Sequence, residues 1–179
     1  MNLFNVTIET ERLLLKPISY DYAEDIFIEF TTEIARYMTP KPAESIEEAK
    51  EMIKEYLEGL RNGTILQLVT VNKNTNEFIG LIGLFCIDTL EPSVKIWIKK
   101  SSHNNGYGAE AMDGLIDWAN KNIKFNYINY PVDKRNESSR KIPEKYNGKI
   151  MKEYEKKGIG GNELYFLEYW IYPRNNKNQ

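Results

Sequence analysis

Two apolar runs, residues 65–71 and 78–86, flank a polar cluster at residues 72–77. Both runs have strand length, and a turn rather than a crossover joins them, so they should pair antiparallel. A chain with such a hairpin at its centre is not a plain alternation of strands and helices. Downstream, Val94, Ile96 and Ile98 alternate with Lys95 and Trp97. This predicts a third strand with two differently solvated faces. After a loop at residues 99–105, Met112, Leu115, Ile116, Ala119 and Ile123 trace one face of a helix, which Gly114 should weaken locally. Residues 125–132 then read as another strand. The hairpin thus passes into a strand, loop, helix, strand unit, which predicts a mixed α/β (α+β) fold.

The flanks fit this frame. Residues 12–18 form a strand closed by Pro17, and Ser19 caps a helix over residues 20–30 carrying Ala23, Ile26, Phe27 and Phe30 on its apolar positions. Residues 31–43, with Pro40 and Pro42, read as irregular. Ser45 and Glu48 form a capping box ahead of Ala49, Ile53, Tyr56, Leu57 and Leu60, and Gly63 stops that helix. A short helix is expected at residues 136–146. A last hairpin is expected from residues 150–157 and 164–172 around a turn at 158–162.

At 179 residues, with 41% apolar and 28% charged residues, the chain suits one core, so residues 1–179 are expected to form one domain. Lysine and arginine number 24 against 26 acidic residues, a formal charge of -2. No global positive field is available for a polyanion, so nucleic acid is not an expected partner. No apolar run approaches the roughly 18 residues of a membrane span, and a cytoplasmic location without membrane association is expected. Cys86 is the sole cysteine and, lying within an apolar run, reads as a small core residue. His103 is the sole histidine, so no metal site is expected.

Between the third strand and the long helix stand Gly106, Tyr107 and Gly108. A helix start exposes up to four unpaired main-chain N–H groups and a partial positive charge, and glycines let that backbone approach a phosphate closely. The dipole supplies only about 0.3–1 kcal/mol, so direct N–H hydrogen bonds must carry the rest. An anion-binding loop is expected here.

The segment His103-Asn104-Asn105-Gly106-Tyr107-Gly108-Ala109-Glu110-Ala111 resembles the acetyl-CoA-binding motif of the GNAT superfamily, in particular its ribosomal-protein N-acetyltransferase branch. Thr10-Glu11-Arg12-Leu13-Leu14-Leu15 resembles that branch's opening strand, and Ile79-Gly80-Leu81-Ile82-Gly83 its third strand. Val132-Asp133 followed by Asn136 and Ser139 resembles the segment that contacts the coenzyme. The resemblance implies a mostly antiparallel sheet flanked by helices, with the splayed parallel strands 94–98 and 125–132 forming the coenzyme cleft. It implies acetyl-CoA as co-substrate and direct transfer of the acetyl group to an amine, either a protein or peptide α-amine or a small-molecule amine, by a monomer or homodimer. Coenzyme contacts are expected from Trp97, Ile98, Lys99, His103, Asn104, Asn105, Gly106, Tyr107, Gly108, Ala109, Asn136 and Ser139. Tyr37 and Met38 are expected beside the acceptor.

The motif is departed from at informative places. His103 stands where glutamine, arginine or an aromatic residue is usual, and Asn104 replaces a common glycine. Asn147 and Gly148 replace a usual Gly-Phe pair. Pro143 replaces a tyrosine that protonates the leaving thiolate, which leaves Tyr127, Tyr130 and Tyr146 as alternative donors, Tyr146 foremost. Ser93 stands where a glutamate is common, so Glu91, two residues earlier, or water at Ser93 is left as the base. Two other readings stay open. One is an acyl-CoA-binding sensor or interaction protein without catalysis. The other is a dinucleotide site, since Gly106-x-Gly108-x-x-Ala111 also fits G-x-G-x-x-[G/A] with Asp133 beyond it.

Overall fold

The computed structural model describes residues 2–174 and folds them around one eight-stranded sheet of order β1-β2-β3-β4-β5-β6-β8-β7. β1 (Ile8–Glu9), β2 (Leu13–Pro17), β3 (Ile65–Asn72), β4 (Phe78–Phe85) and β5 (Ser93–Ile98) pair antiparallel in sequence. β6 (Ile128–Asp133) lies parallel to β5, and β8 (Glu163–Ile171) and β7 (Lys149–Lys157) complete the sheet antiparallel. The expected hairpins and the strand, loop, helix, strand unit are therefore present. The antiparallel majority also excludes the doubly wound sheet of a dinucleotide-binding fold.

Residues paired across strands share a sheet face, so the register sorts the side chains. Leu84 pairs with Val94 and Ile82 with Ile96, on the face that α4 (Tyr107–Asn122) covers with Ala111, Met112, Leu115, Ile116 and Ala119, all buried. α5 (Glu137–Lys145) lies on the same side, its Ser139 and Glu144 bonding Tyr130 of β6 and Tyr169 of β8. The opposite face of β4 and β5 is covered by α1 (Ala23–Glu29) and α3 (Ile46–Asn62). There Phe30, at the end of α1, packs on Trp97 at 5.0 Å between ring centres, and Tyr56 packs on Phe85 at 6.0 Å.

Several local expectations are corrected. The stretch read as irregular contains a short helix, α2 (Thr32–Ala35), capped by the Thr31 hydroxyl, which accepts from Ile34 N–H. Ser19 precedes a 3-10 turn and gives its hydroxyl to Asp21 rather than capping. Ser45 does cap α3 by accepting from Glu48 N–H at 3.2 Å, but the Glu48 carboxylate reaches Glu44 N–H at 2.7 Å, one residue beyond the expected box. Cys86 is exposed, because β4 ends at Phe85 and the chain turns there through a positive φ of 57°. Gly114 is no mere weak point: a Cβ there would lie 2.9 Å from Ile8 and Thr10 side-chain carbons, so its bareness brings α4 close to the N-terminal strands.

Gly80 has a comparable role in the sheet. A Cβ on it would lie 2.2 Å from the Trp97 carbonyl oxygen and 2.9 Å from Ile98 Cα, so only glycine lets β5 close on β4 at this point. Gly80→Ala should displace β5 and lower stability by roughly 1–3 kcal/mol, read as a lower urea midpoint with an unchanged slope.

Candidate active site

The middle of the sheet is where it fails to zip. β5 makes six register pairs with β4, and β6 makes six with β8, yet β5 and β6 share only one, Ser93 with Asn129. Asn129 N–H donates to Pro92 O at 2.8 Å, and beyond that point the two parallel strands part. N–H groups two residues apart point to the same flank of a strand, so the next position facing β5 is Pro131, which has no N–H to leave unpaired. A proline inside an interior strand was the sequence signal for this open flank, and the expectation of a strand at residues 125–132 passed over it.

α4 begins at the wide end of the cleft. Gly106 takes φ +77°, the left-handed conformation that glycine adopts without strain, and its carbonyl accepts the first helical bond, from Glu110 N–H at 3.1 Å. No side chain caps this end, and among the described residues no acceptor meets the N–H groups of Tyr107, Gly108 or Ala109. Gly108 faces the cleft: a Cβ there would sit 3.5 Å from Ile142 of α5, 3.7 Å from Ile98 and 3.8 Å from Ile96. Free amides above an apolar floor suit a ligand with an anionic head and an extended, uncharged arm.

Glu110 fixes where that helix end stands. Two residues past Gly108, its side chain points nearly opposite, toward the turn between β1 and β2. Its carboxylate accepts from the Thr10 hydroxyl at 2.6 Å, Arg12 N–H at 2.7 Å and the Arg12 guanidinium at 2.7 Å. Burial pushes its pKa up, but the bonds from Thr10 and Arg12 outweigh that and hold it below the ordinary value. The Arg12 guanidinium also lies over the Tyr107 ring, 4.6 Å from its centre. The opening motif and the glycine motif, 98 residues apart, are thus one structure.

The other expected coenzyme residues divide by where their side chains lie. Ile98 lines the cleft beside Gly108. Trp97 turns to the other face against Phe30 and Phe78, and Lys99 is buried with its ammonium 2.6 Å from Glu77, so both can serve a ligand only through main-chain groups. His103 donates from Nε2 to Ile98 O at 2.8 Å, Asn104 occupies a positive φ of 62°, and the Asn105 amide donates to Ser102 O and His103 O. These three shape the loop. Asn136 caps α5, its side-chain oxygen accepting from Ser139 N–H at 3.3 Å, while the Ser139 hydroxyl pairs with Tyr130 OH at 2.7 Å. Burial pushes the Tyr130 phenol up to about 12.

Tyr146, expected as the proton donor, is engaged in a bond of its own. Its hydroxyl donates to Asp113 of α4 at 2.6 Å, and burial together with that carboxylate pushes its pKa far up, so it holds its proton in a helix-to-helix bond. Asp133, which a dinucleotide site would need free, accepts instead from Arg135 N–H, Nε and Nη2 and from Tyr165 N–H. Tyr37 sits between the Arg36 and Arg135 guanidiniums, at 5.0 and 5.3 Å, beyond the end of β6. Met38 follows in a segment tied to the β7–β8 turn by Ile159 N–H donating to Thr39 O. Glu91 is exposed just before β5, beside Tyr127, whose phenol burial and Glu91 push up to about 12.

A family model described as an acetyltransferase (GNAT) domain matches residues 12–149. The uncharacterized N-acetyltransferase p20 of Bacillus licheniformis is 26% identical over 157 residues, covering 84% of this chain and 88% of that protein. Among solved structures, the ribosomal L7/L12 α-N-protein acetyltransferase RimL superposes with a TM-score of 0.81 at 11% identity, covering 93% of this chain and 94% of its own. A spermidine N-acetyltransferase from Vibrio cholerae, in complex with CoA and spermine, gives 0.78 at 16% identity, covering 90% and 96%.

Because the folded pKa of Glu110 is depressed, its stabilisation should be complete above the ordinary value near 4.5 and fade as pH falls through the lower folded value. Glu110→Gln should cost about 1–3 kcal/mol at neutral pH. Thermal melts of both proteins from pH 7 to 3 should show that difference shrinking toward the acid end.

Proposed function

We propose that this chain, which belongs to the acetyltransferase (GNAT) family, transfers an acetyl group from acetyl-CoA directly to an amine. The observation that carries this reading is the set of unpaired amides at Tyr107, Gly108 and Ala109 standing over the Ile96–Ile98 flank where β5 and β6 part. The diphosphate of the coenzyme would take the amides, and its pantetheine arm would lie along the open edge of β5. Six residues of strand span about 20 Å, enough for such an arm. Gly106, Gly108 and the braced loop at His103, Asn104 and Asn105 form the cradle, with main-chain groups at Trp97, Ile98 and Lys99 along the arm and Asn136 and Ser139 across the cleft.

The bound coenzyme supplies a thioester carbonyl as acyl donor. A main-chain N–H on the open edge of β5 would hold the oxyanion as the amine adds. The leaving thiol has a pKa near ~8.5, so its departure needs little help, and the absence of a free tyrosine acid is a small loss. Deprotonating the amine costs more. A lysine amine near ~10.4 costs roughly 4–5 kcal/mol at pH 7, against about 1 for an α-amine near ~7.8. An amine of low pKa, such as a peptide α-amine, is therefore the preferred acceptor, approaching past Tyr37 and Met38. The relatives named above, one an α-N-protein acetyltransferase and one a spermidine N-acetyltransferase, support both peptide and small-molecule amines as classes to try.

Two measurements test the reading. Mass spectrometry of a panel of peptide and small amines incubated with acetyl-CoA should show acetylation, fastest at α-amines; coenzyme binding without turnover on any amine would favour the sensor reading instead. Gly108→Val should lose coenzyme A affinity by at least about 100-fold in calorimetry, since its methyl groups would project into the cleft beside Ile98 and Ile142, while the melting temperature stays near wild type because the atoms nearest the new Cβ, at 3.5–3.8 Å, are carbons of flexible isoleucine side chains.

A further inference from the structure

The reaction still lacks a carboxylate for the acceptor, and the sheet register supplies one that the chain's motifs do not announce. Ser93 pairs with Asn129, Asn129 with Trp170, and Pro131 with Glu168, so Ser93, Asn129, Trp170 and Glu168 all project from one face, the face away from α4 and α5. Glu168 is buried, with its side chain 9% exposed. One carboxylate oxygen, Oε1, accepts from the Trp170 indole at 3.0 Å and faces the Lys152 ammonium at 3.3 Å. Among the described residues nothing donates to Oε2. Lys152 is itself 60% exposed, so this charge is only partly compensated from the solvent side. Asn129, at the point where the strands part, carries a second acceptor: its Oδ1 is buried and meets no donor among the described residues. Leaving such an oxygen unbonded is unfavourable, and a ligand N–H would relieve it.

We infer that Glu168 and the Asn129 side-chain oxygen receive the acceptor amine, as a primary ammonium, at the narrow end of the cleft, with Glu168 in place of the carboxylate that Ser93 does not provide. This rests on the acetyltransferase reading above and extends it to the acceptor. Diagonal neighbours on adjacent antiparallel strands stand about 7–8 Å apart, a gap that a bound ammonium fills with one hydrogen bond to each oxygen. The residue paired with Glu168 is Pro131, the position of β6 that faces the flank where β5 and β6 part. The stacked rings of Tyr127 and Trp170, 3.7 Å apart, flank the same face and favour a cation. Glu91, exposed and ahead of β5, is less well placed than this buried carboxylate.

The step balances. The ammonium gives one proton to the Glu168 carboxylate, and the neutral amine forms an N–C bond to the thioester carbonyl carbon. The C–S bond breaks, the sulfur takes the second proton from nitrogen as it leaves, and Glu168 returns its proton to solvent. Lys152 competes with the incoming cation for Oε1.

The test uses the full chain and an amine substrate found in the acetyl-CoA screen. Glu168→Gln keeps an oxygen for the Trp170 indole, so melting temperature and coenzyme A affinity should stay near wild type while kcat/KM for the amine falls about 100-fold. Ser93→Glu added to that variant should recover at least about 10-fold, and Lys152→Ala alone should lower KM for the amine severalfold. Wild-type kcat and KM in Glu168→Gln would overturn the assignment, as would a drop that Ser93→Glu leaves untouched. Failure of the wild-type chain to acetylate any amine, by contrast, would count against the acetyltransferase reading itself.

Discussion

The site exists because two neighbouring strands decline to pair. A sheet gains by closing its ladder, and an open flank at its centre exposes main-chain groups that would otherwise be bonded. This molecule keeps the gap by making each flank complete elsewhere. β5 is held along its whole length by β4, tightly enough that Gly80 can carry no side chain, and β6 is held along its whole length by β8. Pro131 removes one N–H that would have invited closure, and Asp133 bonds Tyr165 N–H to pin the far end of β6. The parting is therefore a property of the sheet rather than of a loop.

Around that gap two separate clamps set the walls. Glu110 ties the first turn of α4 to Thr10 and Arg12, so the free amides stand at a fixed height over the cleft. Being salt-bridged, the same carboxylate does not oppose an anion at the helix start as a free one would. On the other wall, Asn136 caps α5 and Tyr146 bonds Asp113, locking α5 against α4. A phenol used in this way gains rigidity for the cleft and gives up acid chemistry. That division of labour is consistent with a reaction whose leaving thiolate needs no strong acid and whose demand falls on the amine.

Charge is distributed to match. The chain is nearly neutral overall; the start of α4 presents unpaired main-chain donors on one face of the sheet, and the buried Glu168 carboxylate lies on the other. On the proposed reading the coenzyme and the acceptor approach these opposite faces, and the parted strands lie between them. A thioester threaded through the gap would then meet an amine arriving from the far face.

Most of the architecture was legible in the chain because it rests on local signals. Alternation marked β5, helical spacing and the Ser45 cap marked α3, and the two glycines marked the start of α4. Even the Thr10-Glu11-Arg12 segment announced itself as a motif, although its bond to Glu110 did not. Faces and distances were a different matter. Which side of β5 Trp97 and Lys99 turn to, whether the Tyr146 hydroxyl is free, and that Glu168 stands two strands from Ser93 on a common face all follow from register. Register is set by pairing between segments far apart in the chain, and each side chain's availability by what packs on it afterwards. Composition and spacing carry the periodicities that make elements; only the assembled sheet decides which polar atoms are satisfied and which are left facing the gap.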